Sequence, residues 1–203
     1  MSIITGVREL DSLLKGKSSV LVYGVAGSGK TNLLLHIASN ICVHEKCVYV
    51  STEGTLHYEI VKRNSEKFSQ VLFAEAYTLS ELLEVALAIP HTGSRFIFID
   101  SINSPFRVEA MREESLTAFT FIVGYLVKLA ESAKGCLFAS AQVHAAEEGE
   151  EAVGMSVLNY YFDTIIRLVV ENNLRRLVVE KPQTSQQWFF NITNRGISWV
   201  RKQ

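Results

Sequence analysis

Between Val20 and Asn32 the chain reads VLVYGVAGSGKTN: four apolar residues, a loop with three glycines, then Lys30-Thr31-Asn32. No other stretch constrains the fold as strongly. Val20–Tyr23 reads as a short apolar strand, and the later run Phe96-Ile97-Phe98-Ile99, with no polar alternation, suits a strand covered on both faces. After the loop, Leu33, Leu34, Ile37, Ala38 and Ile41 recur at the spacing of one helix face over Thr31–His44.

The strand-then-helix pattern repeats. Cys47–Ser51, Val71–Ala76, Arg95–Asp100 and Cys136–Val143 read as strands, with helices over Leu56–Phe68, Leu79–Ile89 and Glu114–Lys134. Thr78 or Ser80 opens the second of these helices and Pro90 stops it. Five strands separated by helices imply an α/β fold with a mostly parallel central sheet flanked by helices. The style then changes. Phe162–Val170, Leu174–Glu180, Trp188–Ile192 and Ile197–Val200 are β-like with no helix between them. Asn172-Asn173 and Asn194-Arg195-Gly196 read as hairpin turns, so antiparallel strands are expected at one edge. With 203 residues and no linker, repeat or low-complexity tract, a single domain over 1–203 is expected.

Composition narrows the class. A chain that is 48% hydrophobic with 3 prolines can bury a core. A net charge of −1 leaves no global basic field to draw it onto nucleic acid, although a local patch remains open. The 3 cysteines form no C-x-x-C pair, so they read as buried thiols in a reducing compartment. No basic segment followed by an apolar one opens the chain, and no apolar run reaches membrane-spanning length. A cytoplasmic protein with no membrane contact is expected.

The glycine loop fits the phosphate-binding pattern G-x-x-x-x-G-K-[ST], with Gly24, Val25, Ala26, Gly27, Ser28, Gly29, Lys30 and Thr31 in its positions and Asn32 next. Such a loop turns backbone N–H groups inward around phosphate oxygens, and the following helix aims its positive end at them. Lys30 would reach the β- and γ-phosphates, and Thr31 would offer its hydroxyl to Mg²⁺. Phe96-Ile97-Phe98-Ile99-Asp100 ends a strand in a carboxylate that would hold the same ion through water. Glu53, after the second strand, can orient or deprotonate the water that attacks the γ-phosphate; the alternative is a first-turn helix glutamate. Gln142, at the end of the fifth strand, can sense the γ-phosphate or simply satisfy a loop backbone.

These segments in this order resemble the RecA-like recombinase family, and within it the short archaeal RadA paralogues of the RadB-like kind. The matching stretches are Thr5-Gly6-x-x-Glu9-Leu10-Asp11-x-Leu13-Leu14, the phosphate loop, Ser51-Thr52-Glu53-Gly54, Ile99-Asp100-Ser101 and Gln142-Val143. The resemblance implies a RecA-like core that binds ATP and Mg²⁺ in homologous recombination and DNA repair. It implies that Glu53 is the catalytic base and that Gln142 couples the state of ATP to a DNA-binding loop. Lys181-Pro182 lies where the family caps ATP across a subunit interface.

Departures from the family shape the functional expectation. Thr5 already starts the core, so no N-terminal helical DNA-binding domain is expected. Phe73-Ala74-Glu75-Ala76 has the letters of the family's polymerisation segment but reads as a core strand. The first DNA-facing loop would span Ser101–Glu114 with Arg107 and Arg112 as candidate phosphate contacts, or as solvated loop arginines. The second would span His144–Ser156, where four glutamates would repel a phosphate backbone. Arg175-Arg176 and Arg201-Lys202 are further basic pairs, and Tyr160, Tyr161, Phe162, Trp188, Phe189 and Phe190 fit core strands or base stacking. Three readings remain: a weakly hydrolysing accessory paralogue that binds single-stranded DNA and a main recombinase or other paralogues, a module holding ATP without turnover, and a KaiC-like signalling ATPase. The oligomeric state stays open.

Overall fold

The computed structural model describes residues 4–54, 58–110, 113–146, 149–151, 154–172, 174–193 and 196–200. Its elements in chain order begin with α1 (Arg8–Leu14), β1 (Ser19–Gly24), α2 (Lys30–Ile41), β2 (Cys47–Ser51) and α3 (Tyr58–Arg63). After a 3₁₀ turn at Ser65–Phe68 come β3 (Val71–Glu75) and α4 (Leu79–Ala88). A second 3₁₀ turn, Ile89–Thr92, leads to β4 (Phe96–Asp100), α5 (Ser104–Glu109), α6 (Glu113–Ser132) and β5 (Cys136–Gln142). The hairpin β6 (His144–Ala146) and β7 (Gly149–Glu151) precedes α7 (Met155–Tyr161). β8 (Thr164–Glu171), β9 (Leu174–Lys181), β10 (Gln187–Thr193) and β11 (Gly196–Val200) close the chain.

Among the described residues the main sheet has nine strands in the order β11-β10-β9-β8-β1-β5-β4-β2-β3. From β8 to β3 every neighbour is parallel, and from β8 outward to β11 every neighbour is antiparallel. The expected α/β core with an antiparallel edge is therefore the observed one. Residues alternate between two cores. Leu21, Val48, Ile97 and Leu137 pack beneath α4, α6 and α7, whereas Val20, Tyr49, Phe98 and Phe138 pack beneath α1 and α2. This two-sided burial explains why the parallel strands read as unbroken apolar runs.

Local chemistry sets the element ends. Thr78 caps α4 in a reciprocal box with Glu81, which decides between the two expected openers. The entry motif is a brace: the N–H and hydroxyl of Thr5 both donate to Asp11 Oδ1 at 2.6 Å, while Leu10 and Leu14 of α1 enter the core. Asn172, at φ +57°, makes the β8–β9 turn; its partner Asn173, and Asn194 and Arg195 of the other expected turn, lie outside the described residues.

Several expectations need correction. Cys42 and Cys47 are not free thiols but form a disulfide: α2 ends at Ile41 and the chain turns straight back into β2, so the two Cα atoms sit 5.9 Å apart in the core. Only Cys136 keeps a buried free thiol. β3 is not a core strand but the sheet's edge, with Leu72 exposed. The stretch after Asp100 is largely helical, as α5. Tyr160 and Tyr161 lie on α7 rather than in a strand, and Tyr160 is 80% exposed. Phe162 and Phe190 are fully buried, so they serve the core.

Candidate nucleotide-binding site

The phosphate loop leaves β1 at the centre of the sheet, and the antiparallel strands shape it from outside. A Cβ on Gly24 would sit 2.6 Å from the Leu168 carbonyl oxygen of β8, so only glycine fits. Gly29 adopts φ +99°, and a Cβ there would meet Ile192 Cδ1 of β10 at 2.9 Å. Lys30 opens α2 and is buried; its Nζ donates to the carbonyls of Gly24 at 2.9 Å and Val25 at 3.0 Å. The loop therefore closes around its own lysine. Burial lowers the Lys30 pKa, while the charges of Glu53 and Asp100 raise it and that of Arg107 lowers it. Ser28 carries a buried hydroxyl with no hydrogen-bond partner. Ala26 and Gly27 form the exposed rim, and Val25 and Thr31 are half-buried. Asn32 borders a separate cavity of about 250 Å³ beside His36 and Ile197.

The acidic side is built from three neighbouring strand ends. Asp100, at the end of β4, is buried and accepts hydrogen bonds from Tyr49 Oη at 3.0 Å and from Ser140 Oγ. Glu53 is exposed just past β2 and accepts from Ser101 Oγ at 2.7 Å. Thr52 ties β2 to β4: its hydroxyl donates to the Ser101 carbonyl at 2.6 Å and accepts the Ser101 N–H at 2.8 Å. At the end of β5, the buried Asn103 amide clasps the Gln142 backbone, donating to its carbonyl at 3.0 Å and accepting its N–H at 3.1 Å.

The fold thus brings Glu53 and Asp100 within electrostatic reach of Lys30. It does not bring Lys181 and Pro182 to the loop. Lys181 pairs with Ile165, which pairs with Leu21, three residues before Gly24, and its Nζ donates to the Asn159 carbonyl. Arg107 sits on α5, close enough to act on Lys30, rather than in an extended loop. Arg112 lies outside the described residues, as do Glu147 and Glu148 of the second acidic stretch and the pair Arg201-Lys202. Arg176 of the other basic pair bonds Glu171 at 2.7 Å. Motif reading missed Tyr49, Asn103 and Ser140, and it gave Thr52 and Ser101, which lie in the quoted motifs, no role of their own. The one local sign of them is a polar residue at or near the end of an apolar strand.

The residues present suit a nucleotide with a hard cation. A lysine cradle and an orphan hydroxyl face the loop, and Thr31 and Asp100 supply oxygen donors. Among the described residues no cluster of three or more His, Cys, Asp or Glu side chains could hold a metal without such a nucleotide. No helix there is long and apolar enough to cross a membrane.

A P-loop between the central strand and its helix, with an acid on the neighbouring parallel strands, defines an ATPase-type P-loop protein of RecA-like architecture. A family model for the ATPase KaiC matches residues 3–72. The DNA repair and recombination protein RadB of Methanococcus maripaludis (strain C7) is 28% identical over 95% of this chain and 99% of its own. RadB of Archaeoglobus fulgidus is 27% identical over 97% and 98%. A crystal structure of the RadB recombinase superposes with a TM-score of 0.75 at 26% identity, covering 98% of this chain and 100% of that one. In sequence and in fold the chain is thus similar to RadB proteins over nearly its whole length.

Proposed function

We propose that this chain is a Mg²⁺-dependent ATPase of low turnover that acts in homologous recombination and DNA repair as an accessory to a main recombinase. The observation that carries the reading is that Glu53 and Asp100, each held by a hydroxyl hydrogen bond, lie within electrostatic reach of the Lys30 that the phosphate loop encloses. The names of the full-length relatives supply the biological setting.

In this reading the loop N–H groups and Lys30 bind the phosphates, and Thr31 and Asp100 hold Mg²⁺. The ion would supply charge neutralisation across the β- and γ-phosphates. Glu53, steadied by Ser101, orients the attacking water and takes its proton. Gln142, clasped by Asn103, contacts the γ-phosphate side and carries its loss to the segment beyond β5. Lys181 and Pro182, remote from the chain's own loop, serve the nucleotide of a neighbouring copy. Arg107 and Arg112 contact single-stranded DNA. The whole chain, 1–203, works as one domain in the cytoplasm.

The test is steady-state ATP hydrolysis with and without single-stranded DNA, wild type beside Glu53→Gln. The expected result is turnover that DNA stimulates and that falls at least 100-fold in the variant, roughly the contribution of a general base. Nucleotide binding with no turnover, indifferent to DNA, would overturn it in favour of a module that keeps ATP as a structural ligand. The KaiC match over residues 3–72 favours a second reading, a signalling ATPase without DNA. A salt-sensitive gel shift with single-stranded DNA excludes that reading.

A further inference from the structure

Both carboxylate oxygens of Asp100 are held by hydroxyls from the strands on either side. Tyr49 of β2 donates to Oδ2 at 3.0 Å, and Ser140 of β5 donates to Oδ1. Because β4 pairs with both strands, the carboxylate is gripped from two sides of its own strand. The Tyr49 hydroxyl is placed by rigid packing. Its ring is fully buried and stacks on Phe98 at 5.9 Å and 14°, with Phe73 tilted against it at 5.7 Å. Phe98 in turn stacks on Phe138 at 5.1 Å, so an aromatic row runs across β3, β2, β4 and β5 directly below the acid. Ser140, also fully buried, sits two residues beyond Phe138 and so on the same face.

We propose that Tyr49 and Ser140 are positioning residues for the metal: they lock the Asp100 carboxylate so that its free lone pairs face the magnesium–nucleotide site. A carboxylate offers about four acceptor positions, and these two hydroxyls take two of them. The remaining ones are available to water on a cation. The aromatic row transmits the rigidity of the core to that geometry. The inference rests on the ATPase reading above and adds to it the two residues that set metal affinity.

The experiment is a titration of N-methylanthraniloyl-ATP binding with Mg²⁺, followed by fluorescence, for wild type, Tyr49→Phe, Ser140→Ala and the double variant. Tyr49→Phe removes one oxygen and keeps the ring stack. The expected result is an upward shift of about 10-fold in the Mg²⁺ concentration for half-maximal binding, the scale on which partners of metal ligands act. Affinity measured in EDTA stays at the wild-type value. The double variant shifts further. An unchanged Mg²⁺ requirement overturns the proposal, and so does an equal loss of affinity with and without Mg²⁺, which is what general loosening of the site produces. If Tyr49→Phe fails to fold, Ser140→Ala carries the same comparison. Wild-type protein that binds no nucleotide, or binds it without regard to Mg²⁺, defeats the ATPase reading itself and is recognised before any variant is compared.

Discussion

In the parallel half of the sheet, most polar side chains at the strand ends are buried and bonded to neighbouring side chains or backbone; in the antiparallel half they sit at half-exposed positions and pair across the surface. Ser51, Thr52, Asp100, Ser101, Asn103 and Ser140 are all under 10% exposed. Beyond β8, Arg176 bonds Glu171 and Arg167 lies 3.9 Å from Glu180, with side chains 29–46% exposed. Exposed pairs of that kind contribute about 0–1 kcal/mol each. The antiparallel half therefore adds little chemistry of its own. It acts as a wall: Leu168, Phe190 and Ile192 press on the glycines of the phosphate loop. Polar precision on one side and apolar shape on the other meet at Gly24 and Gly29.

The largest test of this division is Phe190→Ala. The ring is fully buried beside Gly29, so its loss should cost about 3–5 kcal/mol of stability by urea unfolding. Nucleotide affinity should fall with it, because the wall no longer shapes the loop. A stability loss with affinity untouched would make the two halves independent and break the comparison.

A middle-sized effect belongs to the parallel half alone. The Cys42–Cys47 bridge joins the end of the phosphate-loop helix to the start of the strand that leads to Glu53. A loop this short still restricts the unfolded chain, by about 2 kcal/mol on the chain-entropy account. Cys42→Ser should lower stability by that amount, measured by thermal melting. Reducing agent should do the same to the wild type and nothing further to the variant.

The smallest expected effect lies at the seam between the halves. His36 Nε2 of α2 and Trp199 Nε1 of β11 both donate to the Thr5 carbonyl at 2.9 Å. Burial lowers the His36 pKa, most strongly of its influences; the Thr5 hydrogen bond and Asp11 oppose that, and Lys67 adds to it. The unfolded state then binds a proton that the folded state refuses. Stability from this group is complete above the ordinary histidine value of about 6.5 and is lost as pH falls below it toward the folded value. Melting at pH 7.5 and 5.5 should show a loss of about 1 kcal/mol or less at the lower pH. His36→Gln should flatten that part of the profile.

Much of the site was legible in the chain because its parts are local. A strand, a glycine loop and a helix opening on Lys30-Thr31 are adjacent in sequence, and Asp100 and Glu53 follow apolar strands directly. The α/β class and the antiparallel edge follow from hydrophobic spacing and turn residues in the same way. Helices α5 and α7 were not legible. Each is 6 or 7 residues long, too short for a period to stand out against the loop residues around it.

What the sequence by itself determined is therefore the succession of the main-sheet strands and the longer helices, the phosphate loop and the two candidate acids. The tertiary structure decided which groups hold them. Tyr49 reaches Asp100 across 51 positions, Ser140 across 40, and Asn103 reaches Gln142 across 39. It also decided that only glycine fits at position 24 beside Leu168, and that the ends of α2 and β2 come close enough for Cys42 and Cys47 to bridge. The physical reason is common to all of them: each contact depends on which strands lie side by side, and hydrophobic spacing along the chain carries no record of strand order.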